Sequence, residues 1–178
     1  MLSLYQPHAQ VYVRGKAGAD VEFGLQMLLT ESAEGLIVDC ELTDDAITAD
    51  CELLLPTLTR IRETFGASAA TGVVTDRGFA SAGNSAVLEV YGITDWTLPR
   101  SPVAMAAKLQ DAEFRALQRR RAQTEARIGL FKANFAGERI PTKSKVAQHR
   151  YVAWAMLAHN LWLLARLDQT DGVSVAAA

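Results

Sequence analysis

Gly72-Val73-Val74-Thr75-Asp76-Arg77-Gly78-Phe79 reads as a short apolar strand followed at once by a turn, with an acid where the strand stops. Asn84 can open a helix running to Tyr91-Gly92, and Ile93-Thr94-Asp95-Trp96-Thr97-Leu98 reads as a second strand closed by Pro99. Strand, helix and strand in succession make an α/β unit. In open α/β sheets ligands gather beyond the carboxyl ends of the strands, which is where Asp76 falls. Gly78 is expected to take torsions closed to other residues.

Upstream, Val11-Tyr12-Val13 is a short strand, Arg14-Gly15-Lys16-Ala17-Gly18 a loop, and Val21 to Leu29 a longer strand. Glu34-Gly35 marks a turn, and Leu36 to Leu42 is its hairpin partner. An acidic loop, Thr43-Asp44-Asp45-Ala46, leads to Asp50, placed to cap a helix that ends at Phe65 before Gly66. Leu53, Leu54, Leu58 and Ile61 line its apolar side. Downstream, one long helix is expected over about 110–134 and a second over about 143–167. The second shows a broad apolar stripe of Val146, Tyr151, Val152, Trp154, Ala155, Leu157, Leu161 and Leu164. Residues 169–178 end in three alanines and are expected to be disordered. An antiparallel meander leading into α/β units predicts a mixed α+β fold, a mixed sheet with helices on both faces, in one domain over residues 1–168. This is the element order of the ribonuclease H-like fold.

The chain is 49% hydrophobic and 21% charged, as soluble globular proteins are. No apolar run reaches the roughly 18–20 residues of a membrane span, and Met1 to Pro7 lacks the pattern of a signal peptide. Cys40 and Cys51 form no CxxC pair and fit reduced cytosolic thiols. The net charge of −2 hides a split: residues 113–150 carry ten Lys or Arg against three acids, so that segment is +7 and the remainder −9. A focused basic segment on an acidic chain can bind a polyanion locally.

Inside that segment stands Arg119-Arg120-Arg121-Ala122-Gln123-Thr124-Glu125-Ala126-Arg127-Ile128-Gly129-Leu130-Phe131-Lys132. Arg121, Glu125 and Lys132 are spaced i, i+4 and i+11, which places them within about 40° of one another around a helix, with Gln118 within about 60°. A lone acid among cations is a poor way to build a core and a sensible way to hold a divalent metal beside phosphates. Phosphodiester chemistry uses one or two hard cations, usually Mg²⁺, held by a few carboxylates. Asp76 from a strand end and Glu125 from a helix are candidate ligands, with Arg121, Lys132 and Gln118 beside them.

Other motifs carry less. His149 and His159 do not share a helix face, and His159-Asn160 is expected to make packing hydrogen bonds. Trp96, Trp154 and Trp162 are expected in the core. Arg14 to Gly18 lacks the glycine pattern of a nucleotide loop, and no serine elbow or Cys–His pair appears.

Taken together these residues resemble the D-D-E insertion-sequence transposases, and within them the ISNCY-like group. The signature of the third acid in that family is Tyr, two residues, Arg, three residues, Glu, six residues, Lys. Arg121, Glu125 and Lys132 match it, and Gln118 stands in place of the Tyr. Val73 to Phe79 resembles the strand that carries the second acid. Gly15-Lys16 with Val21-Glu22-Phe23-Gly24, and Ala158-His159-Asn160-Leu161, resemble two further blocks, so the likeness spans about residues 2–167.

The resemblance implies a ribonuclease H-like core and metal-dependent cleavage and strand transfer at transposon ends, with Mg²⁺ as cofactor and Mn²⁺ as substitute. It implies Asp76 and Glu125 as catalytic, metal-holding residues. Gln118, Arg119, Arg120, Arg121 and Lys132 would bind DNA. Transposon-end and target DNA are the expected partners, in a homo-oligomeric complex in the bacterial cytoplasm at the nucleoid, away from membranes. The first aspartate of the family has no match: Val11 to Val13 holds no acid, Asp20 lies before the second strand and Asp39 on the third. It belongs upstream of Met1 in this reading, together with helices that bind DNA ends. The chain would then be the C-terminal part of a catalytic domain, cutting weakly or not at all. The alternative is a non-catalytic DNA-binding or oligomerisation module derived from a transposase.

Overall fold

A computed structural model describes residues 10–16, 19–43, 48–137 and 139–175, arranged as two compact units. One unit is residues 1–47 with 128–178; the other is Thr48–Arg127. The chain is mixed α/β, but among the described residues its strands pair as three two-stranded sheets instead of the expected mixed sheet.

In the first unit β1 (Gln10–Lys16) pairs antiparallel with β2 (Ala19–Gly24), and β3 (Gln26–Glu31) with β4 (Ile37–Thr43). Arg14 to Lys16, expected in a loop, continue β1, and the single strand expected from Val21 to Leu29 is broken at Leu25. Ala17, Gly18 and the acidic loop at 44–46 lie outside the described residues. The β3–β4 turn forms where Glu34-Gly35 predicts it. Gly35 has φ 93° and donates its N–H to the Ser32 carbonyl at 3.1 Å, a conformation that favours glycine.

Helix α4 (Ala112–Phe131) enters this unit at its end and gives way to a π-helical turn at Lys132–Ala136. The final helix is α5 (Lys145–Val175), which runs through residues 169–175, where no ordered structure was expected. Ile37, Phe131, Ala136 and Ala155 form the core, joined by Met27, Leu29, Phe135 and Met156. The side-chain amide of Asn160 brackets Ile37: Oδ1 accepts its N–H at 2.9 Å and Nδ2 donates to its carbonyl at 2.8 Å. His159 is buried, with Phe131 and Phe135 edge-on to its ring. Packing and hydrogen bonding thus occupy the His159-Asn160 pair, as expected, although the pair lies midway along α5 and not near its end.

The apolar stripe of α5 is split. Gln148, Val152, Ala155 and His159, spaced by four, three and four residues, are buried. Val146, Trp154, Leu157, Leu161 and Leu164 are exposed, so Trp154, at 70% exposure, is not the core residue its chemistry suggests. A helix apolar on two faces cannot be assigned an inward side from composition.

In the second unit α1 (Asp50–Phe65) buries Leu53, Leu54, Leu58 and Ile61, the set its periodicity marks, and Thr57 with them. Ala49 holds the cap position and Asp50 is the first helical residue, where a carboxylate is favoured by the helix dipole. Gly66 ends the helix with φ 97°. Leu54 and Leu58 pack on Leu88 and Ile93. Strand β5 (Gly72–Val73) runs parallel to β6 (Thr94–Asp95), linked through α2 (Ala82–Val90). The backbone ladder reaches further, because Trp96 N–H bonds the Val73 carbonyl at 2.9 Å and Leu98 N–H that of Thr75 at 3.1 Å. Ser81 caps α2 by accepting the Asn84 N–H, so Asn84 sits inside the first turn instead of opening it. A short helix not read from sequence, α3 (Pro102–Lys108), starts at Ser101-Pro102, a serine cap followed by proline.

Asp95 illustrates the electrostatics of this unit. Burial opposes its ionisation, but hydrogen bonds from Thr97, the positive charge of Lys108 and a hydrogen bond from the Ser85 hydroxyl outweigh it and hold the carboxyl below its ordinary range. A depressed folded value contributes stability above the unfolded pKa, which fades as pH falls through the folded one. Asp95→Asn should therefore lower the melting temperature at pH 7 by ~2–4 °C, about the worth of one net hydrogen bond in a chain of this size. The deficit should shrink as the pH is taken down towards 3, in a series of thermal melts.

Candidate functional site

The turn after β5 holds the strand-end acid. Asp76 Oδ1 accepts the Gly78 N–H at 2.7 Å, and the Phe79 N–H bonds the Asp76 carbonyl at 3.3 Å, which folds Arg77–Phe79 into a single 3₁₀ turn. This is an aspartate fixing its own turn. Below it, the Thr75 and Thr97 hydroxyls share a hydrogen bond of 2.8 Å. Outside, the Arg100 guanidinium donates from Nε to the Arg77 carbonyl at 3.2 Å and from Nη2 to the Gly78 carbonyl at 3.3 Å. Inside, Asn84 Nδ2 donates to the Phe79 carbonyl at 2.7 Å and to the Cys51 carbonyl at 2.9 Å. Side chains from α2 and from the segment after β6 thereby hold the carbonyls of all three turn residues.

Sequence reading missed the neighbour of this turn. Asp50, first residue of α1, lies against Gly78. A Cβ on Gly78 would run into Asp50 Oδ2 and would stand 3.0 Å from Asp76 Oδ1. Both carboxylates therefore reach the same point above one glycine. Gly78 is not among the residues with positive φ, so glycine is required there for space, not for the unusual torsions its place in a turn suggests. The Asp50 carboxyl is pushed above its ordinary range, first by burial and then by the negative charge of Asp76. The only sequence signal for the pairing was the placing of Asp50 at a helix start; its meeting with Asp76 is a long-range event that no local pattern reports.

The second acid, Glu125, lies exposed on α4 within the same unit as Asp76. Around it Arg119 is exposed, and Arg120 and Arg121 are half-buried. Gln118, in place of the Tyr, anchors the helix: Nε2 donates to the Trp96 carbonyl at 2.7 Å and Oε1 accepts from Arg121 Nε at 3.2 Å. Lys132 is exposed where the π-helical turn opens, so the 3.6-residue period used to place it ends at its predecessor. Lys132 belongs to the first unit. Among the described residues the acid that the structure sets beside the Asp76 turn is Asp50, and no three His, Cys, Asp or Glu side chains gather as a metal-binding group.

Fold and site together define an α/β protein with an acid fixed at the carboxyl end of a parallel strand and a second acid on an arginine-rich helix. The family model for the transposase DDE domain matches residues 6–161, and the chain belongs to that family, whose general function is transposition. No curated protein and no solved structure matches the chain. No helix among the described residues is long and apolar enough to cross a membrane.

Proposed function

We propose that this chain is the catalytic part of an insertion-sequence transposase, acting on DNA at transposon ends, with Asp76 and Glu125 as metal-holding carboxylates of a ribonuclease H-like core. The observation that carries the reading is the Asp76 turn: a carboxylate at a strand end, its Oδ1 fixed by the Gly78 N–H, in the same unit as the Glu125 helix. The donor chemistry fits a hard divalent ion, since Asp76 and Glu125 both offer carboxylate oxygens. The charge crowded between Asp50 and Asp76 is of the sign a cation relieves. When bound, Mg²⁺ or Mn²⁺ would activate first a water and then a DNA 3′-hydroxyl and stabilise the leaving oxygen. Arg119, Arg120, Arg121 and Lys132 would take the phosphates. Gln118, tied to Trp96 and Arg121, would hold the helix in place and orient one of those arginines. The proposal includes a homo-oligomer as the active complex and a cytoplasmic, nucleoid-associated location.

The first acid of the family has no match within residues 1–178, so cutting by this chain alone is expected to be weak. Nicking of supercoiled plasmid and of transposon-end DNA in Mg²⁺ or Mn²⁺ tests the assignment. Asp76→Ala and Glu125→Ala should each reduce nicking by at least ~100-fold, the scale of losing one charge-stabilising group at a reacting centre. Nicking that survives both changes undiminished removes the roles given to these residues.

A second reading, a non-catalytic DNA-binding or oligomerisation module, is favoured by the +7 segment together with the unmatched first acid and, among the described residues, the lack of three metal-binding side chains gathered in one place. Salt-sensitive, sequence-independent binding of DNA with no cleavage by the unaltered chain would support it.

A further inference from the structure

We propose that Asn84 is a positioning residue that locks the Asp76 turn to the start of α1 and so holds Asp50 and Asp76 side by side. The proposal rests on the role given to Asp76 above. Asn84 is 8% exposed, and its Nδ2 has two hydrogens, enough for the two carbonyls it meets. One belongs to Phe79, the last residue of the Asp76 turn; the other belongs to Cys51, next in the chain to Asp50. A single buried amide thus ties together the two segments that carry the acids. Asn84 is itself held, because Ser81 Oγ accepts its backbone N–H at 3.1 Å and Leu88, one turn further along α2, is 1% exposed in the core.

The tether answers a physical need. Two carboxylates above the same glycine repel one another. Phe79 packs on the cluster of Leu54, Leu58, Leu88 and Ile93, but apolar burial is non-directional and does not fix how closely the acids stand. Asp76 Oδ1 is committed to Gly78, and Arg100 grips the turn from the other side through the Arg77 and Gly78 carbonyls. Without the amide at 84 the turn and the helix start can shift apart, and repulsion drives them to do so. With it, Asp76 stands in one place before any ligand arrives, as a site built for chemistry requires. Asn84 touches no substrate in this account and acts through Asp76.

The test reads the proximity of the two acids directly and uses neither metal nor DNA, so it is independent of whether the chain cuts. The full chain is labelled with ¹³C at aspartate, and the Asp50 carboxyl carbon resonance is followed at pH 7 with and without Asp76→Asn. In the unaltered background the Asp76→Asn change should move the Asp50 signal. In an Asn84→Ala background that response should fall at least threefold. In a Leu88→Ala background, which weakens the same helix without touching the tether, the response should remain. If Asn84→Ala does not fold, Asn84→Ser replaces it, since a hydroxyl is too short to reach both carbonyls. An undiminished response in the Asn84 variant, or an equal loss in Leu88→Ala, overturns the proposal. A chain that shows the expected coupling while its nicking survives Asp76→Ala undiminished loses the transposase role of Asp76 and keeps the tether.

Discussion

Phe114→Ala is expected to cost about 3–5 kcal/mol of stability, the range for truncating a fully enclosed aromatic. Phe114 has no exposed surface. Its ring centroid lies 6.3 Å from that of Trp96, and Lys108 Nζ stands 5.5 Å from its ring centroid. The residue sits in the first turn of α4, where Asp111 Oδ1 accepts the N–H groups of Glu113 and Phe114. Four residues on, Gln118 fixes the same helix to the Trp96 carbonyl. Removing the ring leaves a cavity under the helix that carries Glu125 and the three arginines. Chemical denaturation should show the loss as a shift in midpoint, with Phe114→Leu less damaging because it refills part of the volume. A loss under about 1 kcal/mol would mean that the site collapses around the change and that Phe114 does not anchor α4.

Changing Arg119, Arg120 and Arg121 together to alanine is expected to weaken binding to duplex DNA by roughly 10- to 100-fold at low salt. The same change should reduce the slope of log affinity against log salt by up to ~2.7, about 0.9 for each phosphate no longer neutralised. The three will not contribute equally. Arg119 is exposed, whereas Arg121 already spends its Nε on Gln118, so Arg121→Ala alone should also cost some order in α4. Fluorescence anisotropy over a salt series separates the effects, because removing a cation from a phosphate flattens the slope and loosening the helix does not. An unchanged affinity and slope would mean that the +7 segment is a solvated surface only.

Elements governed by local pattern were legible in the sequence. The buried leucines of α1 follow the helical period, the β3–β4 turn follows Glu34-Gly35, and the strand–helix–strand order around Asp76 follows composition and turn residues. What was not legible depends on where segments meet. Asp50 and Asp76 are brought together by the packing of α1 against the Asp76 turn, and Asn84 gives no sign in sequence of bonding both. Trp154 and Leu157 have the chemistry of core residues, and only the tertiary structure shows that Val152 and Ala155 take the inner side of α5. The site was therefore half legible. The residue types and spacing of Glu125 and its arginines single them out in sequence as candidates only, while the companion of Asp76 and the supports of its turn had to be seen in three dimensions.

We propose that Asp76 and Glu125 hold one cation between them. Titrating the chain with Mn²⁺ and following paramagnetic broadening of carboxyl carbons tests it most directly, since broadening falls off steeply with distance from the ion. The Asp76 and Glu125 signals should broaden together at the same low Mn²⁺ concentration, and Asp76→Ala should protect Glu125. Broadening of Asp76 with Asp50 while Glu125 stays sharp would contradict it.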